Sequence, residues 1–116
     1  MKYNKLIRDK IPTIIQEAGN QCVIRKMNKD EYYDALNRKL REELKEYEAS
    51  HKIEELADML EVIYAIAKHR GLSKEDMSAV MEKKRLKNGG FDEQWMLLKV
   101  TKHRHEPGSI TFTMCE

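Results

Sequence analysis

The chain has few of the residues that staple, kink or interrupt a fold: two cysteines, two prolines, five glycines and one tryptophan in 116 residues. Cys22 and Cys115 cannot make a disulfide framework, and neither has a Cys or His neighbour at zinc-ligand spacing. The histidines, at positions 51, 69, 103 and 105, lack metal spacing as well. No run of about 18 apolar residues exists, so no membrane span is expected. Behind Met1-Lys2-Tyr3-Asn4-Lys5 there is no apolar stretch of the signal-peptide kind. A reduced, cytoplasmic setting is the expectation. No Ser/His/Asp or Cys/His set supports nucleophilic catalysis. No basic helix with interleaved aromatics is present, so no nucleic-acid partner is expected.

What the chain has is charge, at 36% of residues, beside 41% apolar residues. Its length suits one domain with one core. Net charge is only +2, but its distribution is uneven. Residues 1–30 carry seven Lys/Arg against three Asp/Glu, residues 31–61 five against ten, and residues 62–116 ten against seven. An acidic centre favours a cation, and basic arms favour an anion beside it. Metal plus phosphate satisfies both, and so does simple pairing of acidic with basic helices at the surface.

Periodicity and punctuation predict an all-α chain in the main, an antiparallel bundle of about four helices. Pro12 suits a first helical turn and Gly19-Asn20 a stop, which gives a helix near 12–18 after an irregular arm. Gln21 to Met27, β-branched in its middle, reads as a short strand or extended linker. Asn28 or Asp30 caps a helix to about Tyr47 with a stripe of Tyr33, Leu36, Leu40, Leu44 and Tyr47. Ser50 is the expected cap of a third helix, about 51–69, ending at Arg70-Gly71. Its stretch Met59 to Ala67 is apolar nearly all round, so it should be central and buried on most sides. Ser73 and Asp76 form a capping box for a fourth helix to about Leu86, with Asn88-Gly89-Gly90 as its break. Phe91 to Val100 reads as a strand or short helix, and a hairpin around residues 102–108 is expected in the tail.

Two acidic pairs stand at i,i+3 on consecutive helices, Glu43/Glu46 and Glu55/Asp58, with a turn between. At about 100° per residue, Glu43 and Glu46 flank the apolar stripe, while Glu42 faces water. On the next helix, Val62 falls between Glu55 and Asp58 in projection, so the face that carries these acids becomes apolar one turn later. Carboxylates entering a buried face need a partner. Glu54 and Glu61 lie on a different, solvated strip. Four carboxylates brought together make an all-oxygen site suited to Mg²⁺ or Mn²⁺. The same spacings also occur on ordinary helix surfaces. Lys83, Lys84, Arg85 and Asn88 can grip phosphate or form a solvated basic last turn. Arg8 and Lys10 are an anion-binding arm or, with Asp9, a local salt-bridge set.

The ordered blocks carry a resemblance. Tyr3 to Pro12, Lys39-Leu40-Arg41-Glu42-Glu43, Glu54 to Ile63, and Lys84-Arg85 with Gly89-Gly90-Phe91 resemble a small phosphoribosyl-ATP pyrophosphohydrolase-like, or house-cleaning pyrophosphatase, subfamily of the MazG and phosphoribosyl-ATP pyrophosphohydrolase superfamily. The match to E-x-x-E on one helix and E-x-x-D on the next covers Glu43-Glu46 and Glu55-Asp58, within a core of about residues 3–91; the tail, 92–116, matches nothing in it. The resemblance implies one pyrophosphohydrolase domain over residues 1–116. It implies Mg²⁺ on Glu43, Glu46, Glu55 and Asp58, as catalytic and metal residues both, with Mn²⁺ as a substitute. It further implies a nucleotide substrate whose phosphates meet Arg8, Lys10, Lys83, Lys84, Arg85 and Asn88, and a homodimer or homotetramer. The expected activity is hydrolysis of a nucleoside triphosphate to monophosphate and pyrophosphate by a metal-activated water. The alternatives are the phosphoribosyl-ATP enzyme of histidine biosynthesis and a non-catalytic nucleotide-binding helical module. Only eight residues separate Glu46 from Glu55, fewer than is usual in that superfamily, which is expected to leave Glu46 at a fraying helix end.

Overall fold

The computed structural model describes residues 4–102. They form four helices, α1 (Ile11–Glu17), α2 (Lys29–Ser50), α3 (Ile53–His69) and α4 (Lys74–Asn88). No strand occurs among the described residues. The all-α expectation therefore holds, while the short β segment near 21–27 does not. That segment is a linker without regular secondary structure, no strand stands beside it among the described residues, and its end is held another way. Arg25 donates two hydrogen bonds, both 2.7 Å, to the Glu31 carboxylate in the first turn of α2. This pair holds the Glu31 pKa below and the Arg25 pKa above their ordinary values, through the hydrogen bond first. Phe91 to Val100 is irregular and exposed rather than a strand or helix. The expected hairpin falls almost wholly on residues outside the described ones.

Asn28 caps α2, its Oδ1 accepting from the Glu31 N–H at 2.8 Å. The helix passes Tyr47 and ends only at His51, whose backbone is left-handed (φ 55°) and whose N–H donates to the Tyr47 carbonyl at 2.7 Å. A left-handed end is ordinarily glycine's place. Here the His51 ring meets the Tyr47 ring edge-on at 5.4 Å. Ser50 does not cap α3. Its Oγ accepts from the Lys52 N–H at 3.2 Å, inside the turn, and the cap position is Lys52, without a side-chain bond. Two residues thus join α2 and α3, which pack along one another as an antiparallel hairpin. At the open end, Tyr33 stacks on His69 at 5.3 Å and Tyr32 meets the same ring edge-on at 5.7 Å.

α4 packs on α3 and carries the expected capping box: Ser73 Oγ accepts from the Asp76 N–H at 3.1 Å, and Asp76 accepts from the Ser73 N–H at 2.9 Å. The core is small. Among the described residues the buried apolar ones are Ala35, Leu36, Val62 and Ala67. This corrects the expectation that α3 is covered on most sides. Its Met59 to Ile66 stretch packs on α2 and α4 with one face, but Leu56 and Leu60 are exposed, because the described helices leave the opposite face open. α4 buries no residue, and Val80, Met81 and Leu86 are exposed. Among the described residues no helix is long and apolar enough to cross a membrane.

Candidate metal and phosphate site

The short α2–α3 turn brings both acidic pairs to one end of the hairpin. Glu43, Glu55 and Asp58 each offer a carboxylate oxygen within 4.8 Å of the others, and so do Glu42, Glu43 and Glu46. Glu43 belongs to both groups. It is the one buried charged residue among those described, at 6% exposure, and its Oε2 is buried with no hydrogen-bond partner. Its other oxygen lies 3.5 Å from Lys39 Nζ. Burial pushes the Glu43 pKa up, Glu46 beside it and the Asp58 charge push the same way, and Lys39 opposes them. Glu55 is raised too, by burial first and then by Glu46 and Asp58, against Lys52. The four acids of the two pairs thus share one electrostatic environment, as their spacing predicted.

Glu46 is not at a fraying end. α2 continues to Ser50, so the whole last turn follows it, and Glu46 is exposed because of the face it occupies. Glu42 does not simply face water. It lies between exposed and buried, 3.4 Å from Lys39, and belongs to one of the two carboxylate groups. Lys39 is a site residue that the sequence reading assigned no role. Its side chain is only 18% exposed, and it sits at i,i+3 and i,i+4 from Glu42 and Glu43. That spacing was the available signal.

Of the basic residues, the fold brings Arg8 to the acids: its Nη2 donates to Asp58 Oδ1 at 2.6 Å, from fifty positions away in the chain. Lys10 caps α1 with its backbone and is exposed. Lys83, Lys84 and Asn88 are exposed on the last turns of α4, and Arg85 pairs at 3.0 Å with Glu82 of its own helix. Among the described residues, none of these five makes an ion pair or hydrogen bond with the carboxylates of the cluster.

Among the described residues, Lys39 lies against Glu42 and Glu43 and Arg8 against Asp58, within a group of acids that also holds Glu46 and Glu55. Negative charge is in excess, and one buried acceptor lacks a donor. Oxygen donors of this kind suit a hard divalent cation, Mg²⁺ or Mn²⁺, and not zinc. The donor set and the orphaned Oε2 both fit such an ion.

No protein-family model matches this chain, and no solved structure matches it. A protein of Mycolicibacterium smegmatis, described only as uncharacterized, is 46% identical over 46 residues, which is 40% of this chain and 47% of that protein. The similarity thus spans about half the length of the relative and carries no activity with it.

Proposed function

We propose that the chain is a Mg²⁺-dependent nucleoside triphosphate pyrophosphohydrolase, with Mn²⁺ as a substitute, that releases a nucleoside monophosphate and pyrophosphate. The observation that carries this reading is Glu43: a buried carboxylate with one unpartnered oxygen, grouped within 4.8 Å of carboxylate oxygens of Glu55 and Asp58 on the neighbouring helix. An isolated buried charge of this kind is expensive unless a cation meets it. The ordered sequence blocks supply the rest of the support, since Glu43-Glu46 and Glu55-Asp58 resemble the E-x-x-E and E-x-x-D motifs of the pyrophosphohydrolase superfamily. Glu43, Glu55 and Asp58 would hold the ion, with Glu46 at its exposed side. Such an ion neutralises phosphate charge and lowers the pKa of a bound water. Lys39 keeps part of the cluster's charge balanced from within α2. Arg8, Lys10, Lys83, Lys84, Arg85 and Asn88 are the phosphate-binding set, with Lys83, Lys84 and Asn88 exposed on α4 and Arg85 held beside Glu82.

The chain works as a homodimer or homotetramer in this reading, in the cytoplasm. Leu56 and Leu60 of α3 and Leu44 of α2 are exposed, and a second copy is the natural cover for apolar helix faces of this extent.

The test is a pyrophosphate-release screen over common, modified and phosphoribosyl nucleotides with Mg²⁺ or Mn²⁺. Turnover is expected for at least one, and Asp58→Asn should abolish it while the far-ultraviolet circular dichroism stays unchanged. Undiminished release by Asp58→Asn overturns the metal assignment. Nucleotide binding without turnover over the whole panel makes the chain a binding module instead.

A further inference from the structure

Arg8 is a poor fit to a fixed structural role. Its ion pair with Asp58 is short, 2.6 Å, yet the side chains are 57% and 37% exposed. An exposed pair of this kind contributes little to stability. The arm that carries it is anchored without it. Leu6 and Ile7 are half-buried, and the Arg8 carbonyl accepts from the Ile11 N–H at 3.1 Å, which fixes the backbone at the start of α1. The guanidinium can therefore leave Asp58 while the arm stays in place. Lys39 differs: it belongs to the same helix as Glu43, and its side chain is largely covered. Compared with Lys39, Arg8 is the cation better placed to exchange.

A guanidinium and a divalent cation compete for the same carboxylate, because each is positive and each needs the oxygen lone pairs. Once displaced, a planar five-donor fork is suited to a phosphate. We propose that Arg8 is an exchangeable counter-charge: a divalent cation at Glu43, Glu55 and Asp58 displaces its guanidinium from Asp58, and the freed guanidinium becomes the first contact of the nucleotide's phosphates. This rests on the metal-site reading above, and deepens it by coupling the order of binding, metal first and then nucleotide, to one side chain.

The test follows the Arg8 Nε–H resonance in ¹⁵N-arginine-labelled protein, assigned with Arg8→Lys, during a Mg²⁺ titration. Calorimetry on the same samples measures Mg²⁺ binding itself. The resonance should move with the calorimetric Mg²⁺ affinity, and move again when a non-hydrolysable triphosphate is added. Arg8→Gln should bind Mg²⁺ about two- to fivefold more tightly, the gain expected from removing an exposed ion-pair competitor, and should bind the triphosphate more weakly at saturating Mg²⁺. Circular dichroism of Arg8→Gln should match wild type, since the arm is held by its backbone and by Leu6 and Ile7. Mg²⁺ binding with an unmoved Arg8 resonance overturns the exchange and leaves the metal site standing. So does an Arg8→Gln variant that binds Mg²⁺ no better than wild type. Absence of Mg²⁺ binding to wild type in calorimetry removes the metal site and the exchange together.

Discussion

Replacing Glu43 by glutamine separates a metal ligand from a structural acceptor. The substitution keeps shape and volume and removes one charge. Two effects of opposite sign follow. Glu43 Oε2 is buried and has no hydrogen-bond partner, and the carboxylate lies beside Glu46 and near Asp58. Leaving a buried charged acceptor unsatisfied costs about 1–3 kcal/mol. Glutamine removes that cost and brings an NH₂ that can donate to either neighbour. On the other side is the Lys39 contact, an i,i+4 pair at 3.5 Å. Such pairs are worth about 0.3–0.5 kcal/mol at a surface. Partial burial raises that value, but the distance is long for a charge-assisted bond. The first effect wins, and Glu43→Gln should stabilise the protein in EDTA by about 1–2 kcal/mol. For a chain of this size that is a rise in melting temperature of roughly 4 °C per kcal/mol. With Mg²⁺ the order reverses. A ligand at a hundred times its dissociation constant adds about 2.7 kcal/mol to the form that binds it. Wild type receives that gain and the variant loses most of it. Thermal unfolding by circular dichroism, at one fixed protein concentration with EDTA or Mg²⁺, shows the crossing. A variant that is less stable in EDTA and gains as much as wild type from Mg²⁺ makes Glu43 the structural partner of Lys39 and refutes its role as a ligand.

Three other expectations are open to direct measurement. The native pKa values of Glu43 and Glu55 are raised, so the folded protein binds protons more readily than the unfolded chain there. Their contribution to stability in EDTA, read as the difference between wild type and a Glu43→Gln/Glu55→Gln variant, should then be full below the ordinary glutamate range, near pH 4.3, and fall as pH rises through the raised values. That is opposite in sign to the contribution of Glu31 and Asp76, whose pKa values are lowered; a difference that grows in favour of wild type toward pH 7 contradicts this. Ser73→Ala removes the hydroxyl of the α4 capping box and should cost about 1 kcal/mol of stability by chemical denaturation, with Mg²⁺ binding unaltered. Leu60→Asp places a charge on the exposed face of α3 and should convert a dimer or tetramer, measured by light scattering after size exclusion, to a monomer of lower helicity; a wild-type monomer at micromolar concentration rules out the assembly.

Local signals were legible where the chemistry is local. The Ser73/Asp76 box, the Asn28 cap and the i,i+3 acids each depend on neighbours within one turn, and each takes the form its spacing predicts. The left-handed residue at His51 was not legible, since no glycine marks it and a Tyr47–His51 ring contact accompanies it. For 21–27 composition left a short strand and an extended linker both open, because a strand requires a partner elsewhere, and none is present among the described residues. The burial of α3 was over-read because hydrophobicity reports what a helix can bury, not which surfaces the same chain supplies. Arg8 on Asp58 is a contact across fifty positions and leaves no periodic trace.

The hairpin is fastened unequally along its length. Its apolar contacts and ring stacking lie toward the open end, where Ala35, Leu36, Val62 and Ala67 are buried and Tyr32 and Tyr33 meet His69. Its carboxylates lie at the turn, where two residues of covalent connection hold the helices together against like charge. Apolar packing is non-directional and cannot neutralise the acids; the turn can only restrain their separation. The repulsion is therefore contained by the fold without being relieved by it, apart from what Lys39 and Arg8 offset. A helix pair built only for stability gains more from apolar residues at these positions, since buried charges rarely recover their desolvation cost. In the metal-site reading proposed above, positive charge from outside the chain would supply a third fastening, and metal binding would then be tied to the stability of the α2–α3 hairpin itself.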